Sequence, residues 1–288
     1  MKIIDTIKSE KVTLSFEVFP PKTSDKFENT YKAAESIARL NPAYISVTYG
    51  AGGSGRSLFT AELAQKIHQA TGVPVLAHLT CVSSTRQAVA QMLREYQERG
   101  LENILALRGD IPEDGKIEHD YKYASELVAE VKKAGDFCIG GACYPEGHIE
   151  CEHKADDIAH LKEKVDAGCD FLTTQMFFDN NIFYNFLYRA KNVGIQVPII
   201  PGIMPITTAR QLSRAVQMSG TNVPERFRAI VDRFGPDPDA MRQAGIVYAS
   251  EQIIDLVAND VRHIHVYSMN KPGVAEAIIN NLSHIIDL

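Results

Sequence analysis

Short runs rich in β-branched and aromatic residues alternate with longer amphipathic stretches along the whole chain. The short runs cover 13–20, 44–49, 74–81, 103–110, 138–145, 171–178, 198–205 and 263–270, and they predict strands. Helical periodicity falls between them, near 24–40, 57–71, 85–99, 122–134, 153–167, 180–193 and 207–218, with a last helix near 272–286. Two further helices, near 223–233 and 238–257, fill the gap between strands seven and eight. Crossovers of this length suit parallel pairing. Gly72, Gly100, Gly135, Gly168 and Gly194 each follow a helix and precede a strand, where a helix C-cap belongs. No linker, charge block or low-complexity segment interrupts the series. The pattern predicts a single α/β domain over 1–288, a (β/α)8 TIM barrel with extra helices between strands 7 and 8. Closure into a barrel removes the exposed edges that a doubly wound open sheet would keep.

Parity within each strand then divides interior from exterior. In the first strand Leu14, Phe16 and Val18 suit the helix layer, so Thr13, Ser15 and Glu17 point inward. The same reasoning puts Thr48, His78, Arg108, Asp110, Tyr144, Gln175, His265 and Tyr267 on the inner face, nearly all in the carboxyl-terminal half of a strand. A barrel interior is ordinarily packed with branched apolar side chains, and burying unpaired polar groups is costly. Taken singly, Glu17 could be a structural acid paired with Arg108, and His78 a hydrogen-bonded core histidine. Their convergence on the end where barrel enzymes place their chemistry predicts an active site.

Composition narrows the classes. Apolar residues make up 45% of the 288 and charged residues 23%, enough to build a full core. The net charge of −6 and the scatter of Lys and Arg argue against a nucleic-acid or membrane-surface partner. The most apolar stretch, 197–206, is short and broken by Pro198, Pro201 and Pro205, so no membrane span is expected. Five cysteines without a CxxC pair predict reduced thiols and a cytoplasmic protein. Gly50, Gly52 and Gly55 fit GxGxxG after a strand, yet the next strand ends without the acidic residue that a dinucleotide-binding unit requires. The glycines read instead as a loop that lets backbone approach a ligand. His148, Glu150, Cys151 and His153 cluster without a standard zinc spacing, so no metal is expected. A metal-dependent barrel hydrolase built on His78 and that cluster is the enzyme alternative. On the fifth helix Asp157, His160 and Lys164 share one face, which serves either as a solvated ion-pair stripe or as a surface toward a long ligand.

Five motifs carry a resemblance. They are Ser15-Phe16-Glu17-Val18-Phe19-Pro20-Pro21, Ser46-Val47-Thr48-Tyr49-Gly50-Ala51, Ala77-His78-Leu79-Thr80-Cys81, Ala106-Leu107-Arg108-Gly109-Asp110 and Thr174-Gln175-Met176-Phe177-Phe178-Asp179. In order and over nearly the whole chain they resemble methylenetetrahydrofolate reductase in its bacterial, catalytic-domain-only form. The resemblance implies an FAD-containing barrel that reduces 5,10-methylenetetrahydrofolate to 5-methyltetrahydrofolate by ping-pong hydride transfer. NADH or NADPH would be the co-substrate, or a partner redox protein the electron donor. It implies Glu17 as general acid and Asp110 beside the folate pterin. Thr48, Tyr49, Ala51, His78, Arg108, Gly109, Asp110, Ala124, Tyr144, His148, Asp157 and Lys164 match flavin-lining positions, and Gln175, Gln211 and Lys271 match folate-contacting ones. A homo-oligomer is expected. Four positions depart from the family pattern: Ala215 stands where a Phe layers over the ligand, Lys271 where Arg is common, and His160 and Glu163 where other residues assist FAD. Ala215 supplies no stacking surface, which weakens the nicotinamide assignment. The non-enzyme alternative is a barrel subunit of a larger redox complex.

Overall fold

A computed structural model describes residues 1–49, 56–82, 84–111 and 120–286. Its strands are β1 (Thr13–Val18), β2 (Ile45–Val47), β3 (Val75–Thr80), β4 (Asn103–Leu107), β5 (Cys138–Cys143), β6 (Phe171–Thr174), β7 (Ile199–Ile200), β8 (Gly202–Ile203) and β9 (His263–Val266). All pair in parallel, in the order β7-β6-β5-β4-β3-β2-β1-β9-β8. Nine segments appear where the sequence predicts eight because Pro201 interrupts the seventh strand. Proline has no N–H for the ladder, but its carbonyl still accepts from the His265 backbone at 2.9 Å. Ile199 and Ile200 pair with β6 while Gly202 and Ile203 pair with β9, so the two ends of the sheet are halves of one strand. The barrel closes through that proline.

Helices α1 (Ile3–Ile7), α2 (Phe27–Ala38), α3 (Arg56–Thr71), α4 (Arg86–Glu98), α5 (Ala124–Ala134), α6 (Lys154–Asp166), α7 (Asn180–Asn192), α8 (Ala209–Ser219), α9 (Glu225–Phe234), α10 (Pro238–Ala258) and α11 (Pro272–Asn281) complete the fold. The extra pair, α9 and α10, stands where expected, with Phe227 and Tyr248 stacked at 4.1 Å. Gly72, Gly100, Gly168 and Gly194 have positive φ, as a helix C-cap favours, whereas Gly135 is extended at φ 169. Among the described residues no helix is long and apolar enough to cross a membrane.

Two apolar layers confirm the inside-outside assignment. Leu14, Phe16 and Val18 join Ile45, Val47, Ile104 and Ala106 in the layer between strands and helices. The interior has its own apolar floor at the amino ends of the strands, made of Tyr44, Leu76, Leu105, Cys138, Phe171 and Ile200. Helix α1, absent from the sequence reading, plugs this floor with Ile3 and Ile7. The Ile3 N–H donates to Asn103 Oδ1 at 2.8 Å, and Lys2 pairs with Asp136 at 2.5 Å, pinning the plug at its start.

Candidate active site

Above the apolar floor the interior turns polar. Glu17 points inward from β1, its side chain 13% exposed, with Oε2 lying 3.8 Å from His78 Nε2 and 3.8 Å from His265 Nε2. Each imidazole also meets a serine: His78 Nε2, the nitrogen that faces Glu17, lies 2.6 Å from Ser46 Oγ, and His265 Nδ1, on the far side of its ring, lies 2.8 Å from Ser15 Oγ. The Ser15 hydroxyl also lies 3.4 Å from the Ile264 carbonyl, to which it donates when its oxygen accepts from a His265 Nδ1–H. In that tautomer the lone pair of Nε2 is turned toward Glu17, 3.8 Å away. Burial lowers the His78 pKa to about 4, against a smaller opposing pull from Glu17, so this ring is neutral at pH 7.

The backbone of Glu17 is seated as firmly as its side chain. Ser268 Oγ donates to the Glu17 carbonyl at 2.8 Å, and Asn270 grips the following turn, accepting from Phe19 N at 2.7 Å and donating to Phe19 O at 3.0 Å. Met269 and Asn270 both hold positive φ, a strained conformation for residues other than glycine. Sequence reasoning missed Ser46, Ser268 and Asn270. The alternation that places Ser46 on the inner face was available, but nothing marked the two residues after β9.

Arg108 corrects two expectations. Leu105 belongs to the interior floor while Ile104 and Ala106 face the helices, so strand parity does not carry Arg108 or Asp110 inward. The strand ends at Leu107, and Gly109, at φ +87, turns the chain at the rim. The Arg108 guanidinium reaches Glu150 in a two-point pair at 2.6 and 2.8 Å, so it is not the partner of Glu17. Hydrogen bonding to Glu150 raises the Arg108 pKa further, and the same contact lowers that of Glu150. Asp110 is exposed beside this pair.

Other rim residues gather over β2 to β6. Thr48 is partly buried, and its backbone bridges the Val18 carbonyl and the Thr60 hydroxyl. Tyr49, in phase with Ile45 and Val47, packs against the helix-layer core. Tyr144 meets His148 edge-on at 4.6 Å, and burial raises the Tyr144 pKa to about 12. Ala124 opens α5 and is partly buried. The predicted stripe on α6 divides. Lys164 donates to the Ala142 carbonyl, with burial lowering its pKa and Asp157 near enough to oppose that, while His160 is exposed, stacks on Tyr123 and pairs with Glu163 at 3.3 Å. Ala51 and the glycine-rich segment lie outside the described residues.

Gln175, half-buried, continues the inward parity of β6. Gln211 and Lys271, far apart in sequence, meet at Thr207: Gln211 Oε1 accepts from the Thr207 backbone at 3.0 Å and its hydroxyl at 3.1 Å, and Lys271 donates to that hydroxyl at 2.8 Å. Ala215 is buried on α8. Among the described residues no group of three His, Cys, Asp or Glu comes together as a metal site; His148 instead accepts from the Glu150 N–H at 3.1 Å. A groove between α4 and α5 in the outer layer, lined by Arg86, Leu93 and Glu130, holds none of the polar set.

The sequence profile described as Methylenetetrahydrofolate reductase matches residues 2–283. The chain belongs to the methylenetetrahydrofolate reductase family. It is 35% identical over 272 residues to 5,10-methylenetetrahydrofolate reductase of Pectobacterium carotovorum subsp. carotovorum, covering 94% of this chain and 90% of that one. The Escherichia coli (strain K12) reductase is 34% identical over 273 residues, covering 94% and 91%. Methylenetetrahydrofolate reductase (NADH) 1 of Arabidopsis thaliana is 34% identical over 99% of this chain but 51% of its own length. Among solved structures, an uncharacterized protein from Clostridium thermocellum that binds two copies of 5-methyl-5,6,7,8-tetrahydrofolic acid superposes with a TM-score of 0.69 at 15% identity, covering 97% and 96%. At that identity the likeness shows the fold. Methylenetetrahydrofolate reductases are oxidoreductases, and this family member is an enzyme of that class.

Proposed function

We propose that the protein is an FAD-dependent reductase that converts 5,10-methylenetetrahydrofolate to 5-methyltetrahydrofolate, with Glu17 as the acid. The observation that carries this reading is the inward Glu17 carboxyl between two imidazole nitrogens, in a chain that belongs to the reductase family. The Clostridium thermocellum protein, which binds a methylated folate on the same fold, supports a folate substrate.

The rim residues fit a flavin dinucleotide. Lys164 and Arg108 are cations suited to a diphosphate, Asp157 is a carboxylate suited to ribose hydroxyls, and Thr48, His78, His148 and Tyr144 add donors and a ring surface. The Lys164 ammonium is partly buried and hydrogen-bonded to a neutral carbonyl, so an incoming anion would improve its environment. FAD, when bound, supplies the hydride that reaches the one-carbon unit. The protein's share is acid chemistry and placement. The methylene bridge accepts hydride once its five-membered ring opens to a cationic iminium, and opening requires a proton at N10. Glu17 delivers that proton, with the His265 imidazole 3.8 Å behind its carboxyl. The exposed Asp110 carboxylate stabilises the cation from the rim. Gln175 orients the pterin, and Gln211 with Lys271 receives the glutamate end at Thr207. Donor and folate would take turns at this one site, which would give ping-pong kinetics.

The word NADH in the Arabidopsis relative's name favours a nicotinamide donor, and the small Ala215 favours a partner redox protein. Purified protein should be yellow, absorbing near about 450 nm as flavins do. It should form 5-methyltetrahydrofolate when NADH, NADPH and reduced ferredoxin are offered in parallel. A colourless, metal-bearing protein without folate turnover would refute the proposal.

A further inference from the structure

Beneath the Glu17–His265 contact lies a group of hydroxyls that the reaction proposed above leaves unused. Tyr44, at the amino end of β2, is 2% exposed and stacks nearly parallel to His265, the ring centroids 6.0 Å apart and the planes 9° apart. Its hydroxyl faces those of Ser15 and Thr173, yet neither Tyr44 Oη nor Thr173 Oγ1, itself on a residue 6% exposed, makes a hydrogen bond of normal geometry. Two buried, unsatisfied hydroxyls from different strands, facing the serine that holds His265 Nδ1, are unusual in a closed core. Left so, each would cost stability. Buried hydroxyls left without a partner are the usual surroundings of an internal water.

We infer that Tyr44, Thr173 and Ser15 enclose one internal water, and that Tyr44 is thereby a positioning residue that fixes the proton of His265 on Nδ1. The water accepts from Tyr44, exchanges hydrogen bonds with Thr173, and donates to Ser15 Oγ. Ser15 then directs its own hydrogen to the Ile264 carbonyl and accepts from His265 Nδ1–H. With that proton fixed, Nε2 is left as an acceptor toward Glu17. The titratable groups surrounding the pair are Glu17 on β1, Tyr44 on β2, His78 on β3, Cys138 on β5 and Tyr267 on β9, whose ring meets His265 edge-on at 5.2 Å. Burial raises the hydroxyl pKa values of both tyrosines, which keeps them as O–H donors at neutral pH. Nothing in this set but Tyr44 both stacks on the imidazole and reaches the serine behind it. The consequence for folate rests on the function proposed above; the tautomer does not.

The test replaces the hydroxyl and keeps the ring. Histidine tautomers are read from long-range proton–nitrogen spectra of 15N-histidine-labelled protein, with His265 assigned by its loss in His265→Gln. Wild type should show His265 protonated on Nδ1, and Tyr44→Phe and Thr173→Val should each show a mixture of tautomers, whereas Thr173→Ser should match wild type. High-resolution density should place a water among the three hydroxyls. In Tyr44→Phe, folate reduction at pH 7 should slow by roughly three- to tenfold with a displaced acid limb, while flavin reduction by the donor is unchanged. Identical His265 spectra in wild type and Tyr44→Phe overturn the inference whatever the activity, and so does a dry gap or an unmoved folate pH profile. A shifted tautomer in a protein that reduces no folate would leave the tautomer assignment standing and remove the proposed function instead.

Discussion

The two ends of the barrel interior are built by the same strands in the same parity, yet they differ in kind. At the amino end Leu76, Leu105, Phe171 and Ile200 form an apolar floor sealed by Ile3 and Ile7. Two residues further along, Leu76 gives way to His78, and on β1 the inward series runs from Thr13 through Ser15 to Glu17. Polar side chains that the amino end carries are paired within the protein, Asn103 with the Ile3 N–H at 2.8 Å and Thr13 with His263 at 2.8 Å. The floor shows that the interior packs well with apolar side chains, so an inward carboxyl at the other end, under the function proposed above, serves chemistry at a cost in stability.

Substitutions at the two ends should therefore fail in opposite ways. Glu17→Gln should lower folate turnover by ~10²–10⁴-fold, the range for a general acid, while thermal unfolding shows a native melting temperature. Phe171→Ala should do the reverse. Phe171 is fully buried, and its loss should cost ~3–5 kcal/mol in urea unfolding, with turnover per folded molecule nearly intact. A Phe171→Ala protein that is stable but inactive would erase the contrast between the ends.

A smaller effect concerns pH. His78 titrates near about 4 in the folded protein against an ordinary 6.5, because burial disfavours its charged form. The native state then binds this proton more weakly than the unfolded chain. Stability from this source is complete above about pH 6.5 and is lost as pH falls toward 4, by up to ~3 kcal/mol. His148 and His263, also lowered by burial, act with the same sign. Urea unfolding at pH 7 and 4.5 should show this loss in wild type and a smaller one in His78→Gln; equal losses would show that His78 is not the source. The smallest effect belongs to the rim. Glu150→Gln removes the partner of Arg108, but both are partly exposed, so stability should change by less than ~1 kcal/mol. A larger loss would mean that the rim is as tightly built as the floor.

Much of this contrast is legible in the chain because period-two alternation is a strong signal in parallel strands. It places Ser15, Glu17, His78 and His265 on one surface before any contact is known. The reading fails where alternation stops. Arg108 follows β4 in the helix-facing phase of Ile104 and Ala106, and the positive φ of Gly109 then redirects the chain at the rim. Pro201 divides a strand that looked continuous, since apolar pattern does not register a missing N–H. The plug α1 is five residues long, too short to show periodicity, and its role depends on a floor that forms only when the barrel closes. Tyr44 and Ser46 belong to a short strand and matter through neighbours on β1, β3 and β9. No local pattern reports such neighbours.

The most direct test of the acid at the polar end is a single turnover. Protein reduced anaerobically with dithionite is mixed rapidly with 5,10-methylenetetrahydrofolate, and the return of flavin absorbance is followed in wild type and Glu17→Gln. The account requires prompt reoxidation in wild type and a rate at least ~10²-fold lower in the variant, with both proteins equally yellow and equally reducible beforehand. Reoxidation of Glu17→Gln at the wild-type rate would contradict it.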